Sequence, residues 1–237
     1  MAITLTSLTE GEDEVNRSSY TTSSISPTAN RLVIAVIGNN KATSPPNVPT
    51  LSGASMTWVE ITTALYDDIA SPNKRVTMFR ALKASPGSGV ITIDLVNEQR
   101  ACKWSFFEFA GIDTGGTDGS DAIVQSATNA VDSGTSLTVT LASFASSTNA
   151  TVGGVGRDAV DAITQGTGFT EIHEQSGEGF SIETEWRDDA DTTVDWSFDT
   201  SDRQAGVAIE IAGAAAAAAI PNIIFQVKQA IERSSLF

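Results

Sequence analysis

Carboxylates are the only abundant reactive groups in this chain. It holds 29 Asp and Glu against one histidine, His173, and one cysteine, Cys102. Two acids flanking a sugar linkage can hydrolyse it. Glu183 and Glu185 stand two residues apart in Ser181-Ile182-Glu183-Thr184-Glu185-Trp186. In a strand that spacing puts both on one face roughly 7 Å apart, within the range such pairs use. Alternating glutamates are more often a solvated strand face, so no catalytic residue is assigned and the expectation is a non-enzyme. His173, in Glu171-Ile172-His173-Glu174-Gln175, is expected on the solvated face opposite Ile172. Ser-His-Asp chemistry would have to run through it, and no Gly-x-Ser-x-Gly elbow accompanies it. One His and one Cys cannot build a zinc site of His/Cys type. Phosphate-loop and dinucleotide-binding glycine motifs are both missing. Gly153-Gly154-Val155-Gly156 reads instead as a strand kept thin for close packing.

Calcium is the cation that the remaining acids suit. Asp113, Asp118 and Asp121 fall in one glycine-rich loop, and Asp188, Asp189 and Asp191 in another. Hard cations take oxygen ligands from such loops, but the spacing is not that of an EF-hand. A solvated acidic turn with no cofactor is the ordinary expectation, with calcium as the alternative. Trp58 and Trp186 are the candidate stacking platforms for a glycan, although aromatics at repeated positions are more often core layers. Cys102 alternates with Trp104 and Phe106, which points to a small buried hydrophobe.

The elements that must position these residues are strands, and the chain is written twice. Leu32 to Asn40 is answered by Ala150 to Asp158, and Trp58-Val59-Glu60-Ile61 by Phe169-Thr170-Glu171-Ile172. Met78-Phe79-Arg80 is answered by Glu185-Trp186-Arg187, and Phe107-Glu108-Phe109-Ala110-Gly111 by Ile209-Glu210-Ile211-Ala212-Gly213. The order is kept while the offset shrinks from 118 to 111, 107 and 102. Period-two segments punctuated by Gly, Pro, Asn and Asp predict an all-β protein. The expected architecture is a two-sheet jelly-roll sandwich of about twelve strands with an internal pseudo-twofold. It covers residues 1–213, with repeat one at 2–112 and repeat two at 121–213. An alanine spacer, 214–219, leads to 220–237. There Ile220, Ile223, Ile224, Val227 and Ile231 form one apolar stripe, predicting an amphipathic helix that docks on a partner or folds back.

The net charge of −15 is unevenly spread: −1 over residues 1–112, −15 over 113–213 and +1 over 214–237. An acidic surface without a basic stripe argues against nucleic acid and anionic lipid as partners. No apolar run approaches the length that spans a bilayer. The first residues show neither a basic region nor a long apolar core, so no secretory signal is expected.

Ser24 to Pro27, Asn30 to Gly38, Thr57 to Ile61, Phe107 to Ile112 and Gly168 to Ile172 carry a resemblance. They resemble an uncharacterised family of jelly-roll, concanavalin-like sandwiches found among tailed-phage structural proteins and bacterial surface proteins. The resemblance covers roughly residues 18–213 and rests on packing motifs, so it implies a fold and a location but no catalytic residues. It implies a β-sandwich displayed on a virion or a cell surface. The missing secretory signal favours the virion, so the expectation is a non-enzymatic virion protein, assembled in the host cytoplasm and most consistent with capsid decoration. Such a protein would be a homo-oligomer docking on capsid or other virion proteins through its C-terminal arm. A carbohydrate-binding module or tail adhesin is the alternative, and a glycan hydrolase or lyase on the same fold the third reading.

Overall fold

The computed structural model of the chain describes residues 2–42, 45–67, 71–177 and 179–215. The described residues form an all-β sandwich. Repeat one supplies β1 (Thr4–Asp13), β2 (Arg17–Thr21), β3 (Leu32–Asn40), β4 (Thr50–Gly53), β5 (Val59–Tyr66), β6 (Lys74–Leu82), β7 (Ile91–Gln99) and β8 (Ala101–Ala110). A short 3₁₀ turn (Thr117–Ala122) leads into repeat two. That repeat supplies β9 (Ile123–Thr140), β10 (Ala150–Arg157), β11 (Ile163–Gln165), β12 (Thr170–Gly177), β13 (Phe180–Arg187) and β14 (Thr193–Ile211). Among the described residues the strands number fourteen rather than about twelve, and they make three sheets rather than two.

The duplication is visible in the strand order. One sheet runs β1-β8-β3-β6-β5, and the other β9-β14-β10-β13-β12, with β11 added beside β14. The same sequence step yields the same neighbour in both. Even an irregularity repeats: β5 bulges between Glu60 and Thr62, and β12 between Glu171 and His173, at the shared offset of 111. Three of the four aligned segments are equivalent as read. The fourth is slipped by one residue. Ile34 faces Arg80 across β3–β6, and its counterpart Val152 faces Trp186 across β10–β13. Trp186 is therefore the counterpart of Arg80, and the offset there is 106. A one-residue slip in a strand exchanges its two faces. Phe79 accordingly packs on the outer face of its sheet, and Trp186 against the inner core.

The main sheets pack face to face. Leu32, Ile34, Val36, Met78, Phe107 and Phe109 of repeat one meet Val152, Val207, Ile209 and Ile211 of repeat two. β1 lies over β12 and β5 over β9, while β3 meets β13 and β6 meets β10. Each of these pairs maps onto the other under exchange of repeats, which is what a pseudo-twofold axis requires. Each main sheet is also covered outside. In repeat one the third sheet, β2-β7-β4, brings Tyr20, Ile91, Ile93 and Leu95 onto Ile37, Phe79, Trp104 and Phe106. In repeat two the cover is made by the end of β9, the start of β14, and β11. They bring Leu137, Val139, Val194, Trp196 and Ile163 onto Val155 and Ala208. β14 passes from cover to main sheet where its register breaks, between Ser197 and Gln204.

This four-layer stack explains the continuous apolar run of β3, buried along its whole length. It also explains the glycines of β10. A Cβ on Gly153 would lie 2.4 Å from Val194 Cγ1, and one on Gly154 2.9 Å from Val36 Cγ1. One on Gly156 would lie 2.6 Å from the Tyr66 hydroxyl. The strand is thin because layers press on it from both sides.

Candidate functional site

Glu183 and Glu185 project from one face of β13, as their spacing predicts, but that face is not solvated. Both are fully buried under the outer layer of repeat two. The Trp196 indole N–H donates to Glu183 Oε2 at 2.5 Å, and the Gly166 amide donates to Glu185 Oε2 at 2.8 Å. The second oxygen of each has no hydrogen-bond partner. Burial, and then the charge of Glu185, hold the Glu183 carboxyl well above the ordinary range. Burial pushes Glu185 up to about 8, against the lowering effect of the Gly166 amide. Both shifts favour the protonated acid, the state that least penalises a buried oxygen without a partner. The adjacent cleft, of about 330 Å³, is lined by Gln165, Gly166, Thr167, Asp195 and Trp196 but by neither glutamate. The pair braces two layers and does not line the cleft beside it.

His173 corrects the expectation of a surface histidine. It is 8% exposed. The β12 bulge inserts Ile172 as an extra residue, so alternation fails there. Ile172 packs against the inner core while His173 is enclosed beside β1 and β8. Its Nε2 is 2.6 Å from Ser7 Oγ and its Nδ1 2.7 Å from Ser105 Oγ, which in turn lies 3.0 Å from Thr184 Oγ1. Burial lowers its pKa, opposed by the charge of Glu10. A neutral imidazole with both nitrogens engaged ties repeat two to repeat one. Ser105, fully enclosed beside it, is not presented as a nucleophile.

Other polar contacts between and within the repeats had no signal in the sequence. Asp67 and Lys74 of repeat one meet Asp158 and Arg203 of repeat two. Lys74 Nζ lies 2.6 Å from Asp158 Oδ1 and 3.4 Å from Asp67 Oδ2, and Arg203 Nη1 lies 2.9 Å from Asp67 Oδ1. Burial and a hydrogen bond with Asp67 push Asp158 up to about 6, against the pull of Lys74. Burial acts upward on Asp67 too, but the hydrogen bond from Asp158 and the charges of Lys74 and Arg203 outweigh it and hold its pKa down. At the pseudo-equivalent end, Phe180, Asn40 and Ala101 stand in place of Lys74, Asp158 and Arg203. There Ala101, Phe180 and Ile182 form an apolar cluster. Lys103, also fully buried, sits 5.0 Å over the Phe180 ring and pairs with Glu12 and Glu14.

The repeated glutamates Glu108 and Glu210 keep one role in both halves. Glu108 accepts from the Thr28 amide at 2.7 Å, the Thr28 hydroxyl at 2.7 Å and Arg31 at 3.0 Å. Glu210 accepts from Asn149 and Gln125, each at 2.5 Å. Arg31 and Asn149 are counterparts at offset 118, so each glutamate anchors the residue that leads into the central strand of its sheet.

The remaining candidates stay apart. Among the described residues no three of His, Cys, Asp and Glu converge as a cation requires. Asp113 Oδ1 accepts from the Gly115 amide at 2.8 Å and Asp121 Oδ1 from the Ser120 hydroxyl at 3.1 Å, which are bonds internal to the loop. Asp118 sits at a positive φ of 52° in the 3₁₀ turn. Asp189 and Asp191 pair with Arg187. Trp58 packs edge-on to Phe106 at 5.5 Å, and Trp186 to Phe109 at 5.7 Å. Both tryptophans are half-buried against core clusters. Cys102 is fully buried beside Trp104 and Phe106, and burial pushes its thiol up. The stripe Ile220, Ile223, Ile224, Val227 and Ile231, the helix that it predicts and most of the alanine spacer lie outside the described residues. Comparison of the chain with protein families, with characterised proteins and with solved structures finds no match.

Proposed function

We propose that this chain is a non-enzymatic virion structural protein of a tailed phage, most consistent with decoration of the capsid. The observation that carries the reading is the use made of its chemistry. Glu183, Glu185, His173 and Cys102 are all buried, and the first three tie one layer or repeat to another. A four-layer β-stack braced in this way suits a rigid body that is carried on a particle. Its acidic repeat keeps it soluble and away from packaged nucleic acid. The arm at 214–237, nearly neutral and striped with Ile220, Ile223, Ile224, Val227 and Ile231, is the segment proposed to dock on capsid or other virion proteins.

The test is a binding assay on purified heads. Full-length chain is expected to co-sediment with them and the 1–213 truncation to stay in solution. Equal sedimentation of both forms would contradict docking through the arm. Failure of the full chain to bind any particle component would contradict the virion assignment.

A further inference from the structure

The two long sides of the sandwich are exchanged by the pseudo-twofold and have diverged. On one side β1 lies over β12. β1 bulges between Ser7 and Thr9 and carries Glu10, Glu12 and Asp13, while β12 bulges beside Glu171 and carries Glu174. Bulges and charges of this kind keep a sheet edge from pairing with another chain. On the other side β9 lies over β5, and those guards are missing along the middle of β9. From Gln125 to Val131 it pairs residue for residue with Glu210 to Gln204 of β14, without a bulge. This stretch, Gln-Ser-Ala-Thr-Asn-Ala-Val, has no charge and no proline. Its neighbour Thr62-Thr63-Ala64-Leu65-Tyr66 on β5 is uncharged as well. Among the described residues β14 is the only strand paired with β9, and Ser126, Thr128, Asn129 and Ala130 are exposed. Beside this edge lies a pocket of about 220 Å³ lined by Leu65, Tyr66, Pro72, Ala130, Val131 and Asp132. Val124, 49% exposed, stands at the start of the same strand.

We propose that the Gln125–Val131 edge of β9 is a self-association edge, to which a second copy of this chain adds its own β9 antiparallel. The main sheets of two repeat-two halves then become one continuous sheet. Charge selects the occupant. A copy of a chain with net charge −15 is repelled by most of this surface. It can approach at the uncharged edge, and a basic partner would instead be drawn to the acidic side at β1 and β12. Antiparallel pairing of a strand with itself is a twofold contact that closes at two copies, the commonest oligomeric form. Backbone hydrogen bonds along the added strand supply the affinity, and side-chain pockets the register. A pairing centred on Thr128 sets Gln125 of one copy opposite Val131 of the other. It also carries each Val124 toward the apolar pocket beside Val131 and Asp132.

The experiment uses the purified full chain, so it does not depend on the virion assignment. Sedimentation velocity over a concentration series is expected to show a species of twice the chain mass. Thr128→Lys combined with Ala130→Lys places like charges across the joined edges and is expected to leave monomer at every concentration, with the circular dichroism spectrum unchanged. Thr4→Lys, on the guarded strand β1, is expected to leave the dimer intact. A wild-type chain that stays monomeric overturns the proposal. So does a dimer that survives the double substitution, including one held together by residues beyond 215.

Discussion

Glu185→Gln should make this protein more stable in neutral solution and change how its stability follows pH. The carboxyl is raised to about 8 from an ordinary 4.5, chiefly by burial. Below pH 4.5 both folded and unfolded chains hold the proton, and its contribution is fully present. As pH rises toward 8 the unfolded chain releases the proton while the folded chain retains it, so stability falls. The slope is about 1.4 kcal/mol per pH unit, or on the order of 5 kcal/mol over the whole interval. Gln is neutral, has the same shape and can still accept from the Gly166 amide, so the substitution removes this term. At pH 7.5 the variant should exceed wild type by about 4 kcal/mol, a Tm rise of about 10 °C for a chain of this size. At pH 4.5 the two should nearly coincide. Thermal unfolding followed by circular dichroism from pH 4.5 to 8.5 measures the difference directly. Wild-type and variant Tm curves running parallel across that range would show that Glu185 is ionised in the fold, refuting the reasoning.

Three further outcomes follow from other contacts. Gly153→Ala drives a methyl into Val194 and Trp196 and should cost about 2 kcal/mol, seen as a lower urea midpoint with an unchanged m-value. His173, whose pKa is lowered by burial, contributes stability above about pH 6.5 that is lost as pH falls and the unfolded chain takes up a proton. His173→Gln should therefore narrow its Tm deficit to wild type on going from pH 7 to pH 5. Glu108→Ala leaves the Thr28 amide without its acceptor and Arg31 without its ion-pair partner and should cost about 3 kcal/mol in chemical denaturation, more than loss of an exposed ion pair such as Arg17–Asp13.

The duplication was legible because its marks are packing residues, and packing recurs wherever strand order recurs. Phe107 to Gly111 and Ile209 to Gly213 align in register because each strand is interior to its sheet and buried on both faces. Met78 to Arg80 aligns one residue out because the charged Arg80 occupies the position that Trp186 fills in the other repeat, and a period of two offers no local signal of the slip. The expected surface position of His173 fails for a related reason, since a bulge has no residue signature and reverses alternation beyond it. Glu-Thr-Glu in β13 reads as a solvent face when taken alone. The layer that covers it comes from residues 137–139 and 194–198, remote from it in the chain or beyond a turn. The cluster of Asp67, Lys74, Asp158 and Arg203 draws on both repeats, and no spacing within either one announces it. The long strands β9 and β14 each serve two layers, a double use that a count of period-two segments undercounts.

The proposed role is that of a structural component of a virion, with its polar chemistry turned inward. The most direct measurement is quantitative mass spectrometry of gradient-purified particles from the lysate of cells producing the chain. The chain is expected in the particle fraction at a fixed ratio to the major capsid protein, retained through repeated banding. Recovery of the chain only in the soluble fraction, with none in the banded particles, would contradict it.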